Sequence, residues 1–226
     1  MGNWQAEKEE LWQVVQEMWK LGLVSGAGGN ASLRLPKDGD RELIVITPTR
    51  LPYSRMKPDD LVVIDFEGDP VEGDGIPSSE TLMHLGIYRK RPDVSGVVHT
   101  HSIFASVAAV VGAEIPPLID EMVMLVGGSV PVAEYGLPGT EDLAEKACAA
   151  LGHKQAALLR NHGLVSVGRS VQEALEVCIL VERVAQVYTY AALLGKANPL
   201  PDNAIQSEVA IFRMQHEIQM NEEGTQ

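Results

Sequence analysis

Positive charge is scarce in this chain of 226 residues: 18 lysines and arginines stand against 31 aspartates and glutamates, for a formal charge of −13. A surface of that sign repels DNA, RNA and anionic lipid, so nucleic acid is excluded as a partner. Cysteine is nearly absent. Cys148 and Cys178 lie far apart in segments that read as helices, with no CxxC pair and no framework of bridges. They fit two small buried hydrophobes in a reducing compartment. Long apolar runs are missing too, since Val177 to Val181 is bounded by Glu176 and Glu182, far short of a bilayer crossing. Met1 to Glu10 has no basic stretch leading into an apolar one, which argues against a secretory signal, and Ala6 stands where a myristoylation signal has Ser or Thr. The expectation is a cytoplasmic protein with no membrane partner.

What is present is ordinary globular composition, 45% apolar and 22% charged with a mean hydropathy of zero. Such a length supports one sizeable core, so a single domain over 1–226 is expected, with its core over about 7–195 and a polar tail over 196–226. Leu11, Val14, Val15, Met18 and Leu21 repeat at helical spacing over Glu7 to Leu21. A hairpin follows, with Ala31 to Leu35 and Glu42 to Thr47 around Lys37-Asp38-Gly39-Asp40, then a strand over Leu61 to Phe66. Pro77-Ser78-Ser79-Glu80 opens a helix to about Arg89, with a serine as N-cap. Ser95 to Thr100 reads as a buried strand, Phe104 to Val111 as a helix, and Ile115 to Glu134 as strand-rich. Beyond it come a helix over Thr140 to Leu151, strands at Ala156 to Arg160 and Leu164 to Val167, and a long helix opened by the capping box Ser170-Val171-Gln172-Glu173. One more helix fits the tail after Pro201. Elements alternate irregularly without a repeat, which implies an α/β fold on a mixed, largely antiparallel sheet.

Three of the six histidines stand at strand ends. His99 and His101 flank Thr100 after an apolar run, and side chains two apart on a strand project from one face about 6.6 Å apart, so both imidazoles can converge on one ion. His162 closes another strand before Gly163. Glu80, in the first turn of its helix, is the accompanying carboxylate, although by itself such a residue only complements the helix dipole. Ser78 and Ser79 at the same helix start form an anion site or simply cap it. Gly26-Ala27-Gly28-Gly29-Asn30-Ala31 matches GxGxxA in letters, but it follows a helix and precedes a strand, the reverse of a dinucleotide-binding turn. No P-loop is present. A glycine nest with Asn30 as amide donor suits a small phosphate.

Five motifs in order, Gly28-Gly29-Asn30-Ala31-Ser32, Thr47-Pro48-Thr49, Pro77-Ser78-Ser79-Glu80, His99-Thr100-His101 and Asn161-His162-Gly163, resemble those of the class II aldolase and adducin family. The likeness is greatest to its L-fuculose-1-phosphate aldolase branch and runs from the first helix to about Gly195. It implies a three-layer α/β/α sandwich and a homotetramer with sites at subunit boundaries. It also implies a carbon–carbon lyase that cleaves a sugar or deoxysugar 1-phosphate to dihydroxyacetone phosphate and an aldehyde through a metal-stabilised enediolate. By the same resemblance His99, His101 and His162 bind Zn2+, with Mn2+ or Co2+ as alternatives, and Glu80 is both fourth ligand and acid/base. Gly29, Asn30, Thr49, Ser78 and Ser79 match its phosphate contacts. Two positions depart from that branch. Arg50 replaces a glycine and can add to phosphate binding or narrow the pocket. Glu121 stands near the place of a catalytic tyrosine, and a carboxylate there resembles the family's methylthioribulose-phosphate dehydratase; it fits a second catalytic base or a salt-bridged interface residue. Dehydration, decarboxylation or epimerisation of a phosphorylated sugar is the alternative reaction, and a metal-free adducin-like binding module the other alternative.

Overall fold

The computed structural model describes residues 4–223. In chain order its elements are α1 (Gln5–Lys20), β1 (Asn30–Arg34), β2 (Leu43–Ile46), β3 (Val62–Asp65), β4 (Pro70–Glu72), α2 (Thr81–Lys90), β5 (Gly96–Thr100), α3 (Ile103–Val111), α4 (Asp120–Val126), β6 (Val132–Ala133), α5 (Glu141–Leu151), β7 (Ala156–Leu159), β8 (Gly163–Gly168), α6 (Val171–Leu194) and α7 (Asp202–Glu223). The eight strands form one sheet in the order β4-β3-β2-β1-β5-β8-β7-β6. Every pairing is antiparallel except that of β6 with β7, so the sheet is mixed and largely antiparallel, as expected.

Both faces of the sheet are covered, because its central strands are buried throughout and alternate residues must pack on opposite layers. On one face Ile44, Ile46, Val97, Val165 and Val167 meet α2 and α5 through Met83, Leu85, Leu143 and Ala147. On the other, Ala31, Leu33, Val98 and Leu164 meet α1, α3, α4 and α6. The result is the three-layer α/β/α sandwich. By length and composition α6 is apolar enough to cross a membrane, more than its short uncharged run implies. Here Ala174, Leu175, Val177, Cys178 and Val181 of α6 are buried in the core, and its Glu182 accepts the backbone N–H groups of Phe104 and Ala105 at 2.9 and 2.8 Å, capping α3.

Three local expectations change, while the tail helix stands as expected. Ile115 to Glu134 contains only a bridge of Ile115 with Val130 and the short β6, while its middle is α4. Met122, Val123 and Val126 are buried at helical spacing with Met124 outside, a pattern that a short apolar run does not separate from a strand. Gly127, at φ 88°, ends the helix. The N-cap of α2 is Glu80 rather than a serine, and Ser78 Oγ accepts from the Glu80 N–H at 3.2 Å. At α6 Ser170 accepts from the Glu173 N–H at 3.1 Å, but the Glu173 carboxylate takes the N–H of Arg169 at 2.8 Å, so the capping box closes one residue early. The tail forms α7, whose Phe212 ring lies where a Cβ on Gly127 would stand. Both cysteines are free, Cys178 fully buried and Cys148 half-buried.

Candidate metal centre

The antiparallel register of β1 with β5 sets Asn30 opposite His99, with both side chains toward α2. Thr100 lies opposite Leu164, so the turn from β7 into β8, which carries His162, abuts the end of β5. Two glycines make this approach possible. Gly29 has φ 76°, and a Cβ there would stand 2.6 Å from the His99 carbonyl oxygen; a Cβ on Gly163 would overlap the Thr100 carbonyl. Asn161 takes the left-handed conformation, φ 56°, to turn the chain into β8 beneath His162.

Glu80, His99, His101 and His162 meet at this point, each offering one ligand atom, all within 4.8 Å of one another. The Nε2 atoms of His99 and His101 are 3.0 Å apart, and the Glu80 oxygens stand 3.2 Å from His99 Nε2 and 3.4 Å from His162 Nε2. A tetrahedral ion with bonds of about 2.0–2.1 Å holds its donors roughly 3.3 Å apart, so these spacings fit a divalent cation. The donor chemistry fits as well. His99 Nδ1–H donates to the Leu164 carbonyl at 2.9 Å, which directs Nε2 toward Glu80 and His101. Glu80 Oε1 is buried without a hydrogen-bond partner, as a carboxylate oxygen reserved for a cation would be. Glu80 and His99 are buried while His101 is exposed, so the cluster opens to solvent on the His101 side.

Burial pushes His101 and His162 down to about 4, helped by the neighbouring His99, so both imidazoles are neutral at neutral pH and able to ligate. Burial opposes ionisation of Glu80, but His99, His162 and the Asn30 amide outweigh it and hold the carboxyl well below the usual range. The set therefore offers one negative charge and the neutral rings of His101 and His162 to a dipositive ion.

The other expected site residues divide. The strand-like bridge of Pro48 with Pro77, with Thr49 N–H donating to the Ile76 carbonyl at 2.8 Å and Ser78 N–H to the Thr47 carbonyl at 3.1 Å, joins the Thr47–Thr49 and Ser78–Ser79 motifs. Thr49, Arg50 and Ser79 line one open cavity of about 770 Å³ together with Asp60, Gly75 and Pro77. Arg50 is exposed at φ 61°, a conformation that favours glycine. Ser78 is buried, its hydroxyl turned to α2. Gly29 is fixed by the buried Tyr53, whose O–H donates to its carbonyl at 2.6 Å, a contact the sequence reading missed. Asn30 is buried and its amide is engaged by Glu80 and His84. Glu121 lies outside the cluster: on the exposed side of α4 it pairs with Arg183 of α6. His216 of the tail accepts from Gln155 Nε2 at 2.7 Å at the far end of β7 from His162.

A sheet of this order with three strand-end histidines and a helix-start glutamate is a scaffold able to hold a metal ion. The chain belongs to the class II aldolase and adducin family: the model of the Class II Aldolase and Adducin N-terminal domain matches residues 9–189. It is 36% identical over 203 residues to a 5-deoxy-D-ribulose 1-phosphate aldolase of Bacillus thuringiensis, covering 90% of this chain and 93% of that one. With an L-fuculose phosphate aldolase of Escherichia coli it shares 36% identity over 185 residues, 82% of each chain. A solved structure of L-fuculose 1-phosphate aldolase superposes with a TM-score of 0.84 at 33% identity, over 91% of this chain and 95% of that one. The protein is thus an enzyme of the class II aldolase type, a carbon–carbon lyase with a cluster able to hold its metal.

Proposed function

We propose that this enzyme cleaves the C3–C4 bond of a ketose 1-phosphate of the deoxypentulose or deoxyhexulose class, giving dihydroxyacetone phosphate and an aldehyde. The observation that carries the reading is the convergence of Glu80, His99, His101 and His162, with Ser79, next to Glu80 in the chain, lining a cavity together with Thr49 and Arg50. His99, His101 and His162, with Glu80 at rest, would hold a divalent cation, Zn2+ with Mn2+ or Co2+ as substitutes. When bound, that ion supplies Lewis acidity to the C2 carbonyl of the ketose.

Cleavage takes a proton from the C4 hydroxyl, leaves the bonding pair on C3, and returns a proton to C3. Glu80, a carboxylate at rest, is the group that accepts the C4 hydroxyl proton and hands it to C3, since its Oε1 is committed to no protein donor. Thr49, Arg50, Ser78, Ser79, Gly29 and Asn30 form the phosphate side. The global charge of −13 repels an anionic substrate, so attraction has to be local, from these residues and the ion. The whole chain works as one cytoplasmic domain in a homotetramer with sites at subunit boundaries. Exposed Ile103, Val107, Val110 and Val111 on α3, immediately after His101, support that assembly. A neighbouring subunit would then bring Glu121 toward the acceptor end.

The test is dihydroxyacetone phosphate release from L-fuculose 1-phosphate and 5-deoxyribulose 1-phosphate with each metal. Release from either supports the reading. Loss of water without carbon–carbon cleavage, or turnover of neither, overturns it.

A further inference from the structure

Behind the metal centre a column of polar side chains runs between β1 and α2. Asn30, Ser32 and Arg34 alternate on one face of β1, and Glu80, His84 and Tyr88 recur every fourth residue from the start of α2. Two strand residues advance about 6.7 Å and four helical ones about 6 Å, so the two series stay in step. Asn30 Nδ2 donates to Glu80 Oε2 at 2.8 Å, and Asn30 Oδ1 lies 2.5 Å from His84 Nε2. His84 Nδ1 is 2.6 Å from Ser32 Oγ, which is 2.8 Å from the Tyr88 hydroxyl. Arg34 closes the column, donating to the Tyr88 carbonyl at 2.7 Å with its guanidinium over the Tyr88 ring.

The donor sense of each link follows from the one before. A carboxylate only accepts, so Asn30 turns its NH2 to Glu80 and its carbonyl to His84. His84 Nε2 must then carry the hydrogen, its Nδ1 must accept, Ser32 must donate to it, and Ser32 Oγ is free to accept from Tyr88. The reverse sense would set the Asn30 carbonyl against the Glu80 carboxylate. His84 is fully buried and Tyr88 nearly so. With both ring nitrogens used and no counter-charge in contact, the imidazole has no place for a second proton.

We infer that His84 is a positioning residue for the metal centre: held as the Nε2–H tautomer, it fixes the Asn30 amide so that it donates to Glu80 and sets where that carboxylate stands. The inference rests on Glu80 being the working carboxylate of the lyase. It also assigns Asn30, matched to phosphate by family likeness, a second task, with one amide N–H still available for a ligand.

The experiment is nitrogen-15 NMR of histidine-labelled full-length protein, metal-free and loaded with Zn2+, alongside titration calorimetry with Zn2+ and steady-state kinetics. In wild type His84 should show a protonated Nε2 and a bare Nδ1 in both forms; a protonated Nδ1 overturns the inference. His84→Gln keeps a donor near the Nε2 position, and His84→Leu removes it at similar volume. His84→Leu should weaken Zn2+ binding about 10- to 100-fold, the cost of losing an outer-shell partner, and lower kcat at unchanged KM. His84→Gln should recover most of both. Leucine behaving as wild type, or glutamine rescuing nothing while folded, overturns the inference. If His84→Leu does not fold, Ser32→Ala decides: the Asn30 carbonyl, turned to His84 by Glu80, should keep the Nε2–H tautomer without the hydroxyl, and a protonated Nδ1 in that variant overturns the inference. If no ketose phosphate is cleaved, the proposed reaction fails while the NMR and Zn2+ arms still decide the role of His84.

Discussion

The two faces of the sheet handle buried polarity differently. Against α6 the buried polar groups of β5 and β8 are neutral and locally consumed: Ser166 Oγ donates to the Ala174 carbonyl at 2.8 Å, and Thr100 Oγ1 lies 3.2 Å from Cys178 Sγ, whose thiol burial pushes up to about 12. The buried Lys8 of α1 is paired at 2.6 Å with Glu72 at the sheet edge. On the α2 face three ionisable groups, Glu80, His84 and His99, are buried together within one hydrogen-bonded set. Placing ionisable groups in a dry interior costs several kcal/mol unless a partner compensates. Three such groups gathered at the candidate metal centre on one face, against a lysine paired at the sheet edge on the other, mark the α2 face as the candidate working one, and the α6 face as the support that holds β5 in place.

The strongest way to break this contrast is at the ligands. His101→Ala should lower Zn2+ affinity by more than about 100-fold, beyond what loss of an outer-shell partner costs, and remove cleavage activity. Metal analysis of the purified variant and calorimetry check it; wild-type affinity would show that the histidines do not share an ion. Glu80→Gln keeps the shape and one acceptor oxygen but removes the titrating group. Loss of about 10²- to 10⁴-fold in kcat is expected with some metal retained, the range that acid/base groups supply.

Acid sharpens the comparison next. Unfolded imidazoles take a proton near 6.5, whereas burial pushes His84 down to about 3 and His101 and His162 to about 4. Between those values the unfolded chain binds more protons than the folded one, so metal-free protein loses stability as pH falls from 6.5 toward 4. His84 alone contributes a slope of about 1.4 kcal/mol per pH unit, and the two more open histidines contribute less because solvent screens them. Glu80 acts lower still, its stabilisation present above the ordinary carboxylate range and lost below it. Urea unfolding of the metal-free protein at a series of pH values reads the slope. His84→Gln should flatten it, whereas Ser166→Ala should leave it unchanged. That α6-face variant should cost only about 1–3 kcal/mol, the price of one broken buried hydrogen bond, with kcat intact.

Much of the α2 face was legible in sequence because its signals are local. His99-Thr100-His101 is a strand-spaced pair, and Glu80 follows a proline and two serines at a helix start, so chain order alone brings out the motifs. The link between Asn30 and Glu80 was not legible, because it depends on which strand lies beneath α2, a tertiary choice that periodicity does not encode. Still, polar residues at 80, 84 and 88 in a helix, and at 30, 32 and 34 in a strand, are a readable signature of a buried polar interface, overlooked because each looked like ordinary surface spacing. On the other face α4 was read as strand because its apolar residues span too few turns to reveal a period. Arg50 lines the cavity with Thr49 and Ser79 from a strained turn. Its positive φ is a backbone property that only the folded turn shows.

The smallest effect belongs to Glu121, and it tests whether working carboxylates are confined to the α2 face. Its pair with Arg183 is exposed on both sides, and such pairs contribute about 0–1 kcal/mol. Arg183→Ala should therefore leave the unfolding midpoint nearly unchanged, and Glu121→Gln the same. If Glu121 serves only as that surface pair, Glu121→Gln keeps kcat, and the chemistry resides in the cluster behind which Asn30 and His84 stand. If it reaches a neighbouring subunit's centre, kcat falls while metal affinity and stability hold. Mixing Glu121→Gln subunits with subunits carrying His101→Ala then restores part of the activity, because each defect would lie in a different copy. Kinetics of the two variants singly and mixed, with denaturation as the control, distinguish these outcomes, and recovery on mixing would extend the working surface from the α2 face to the exposed side of α4.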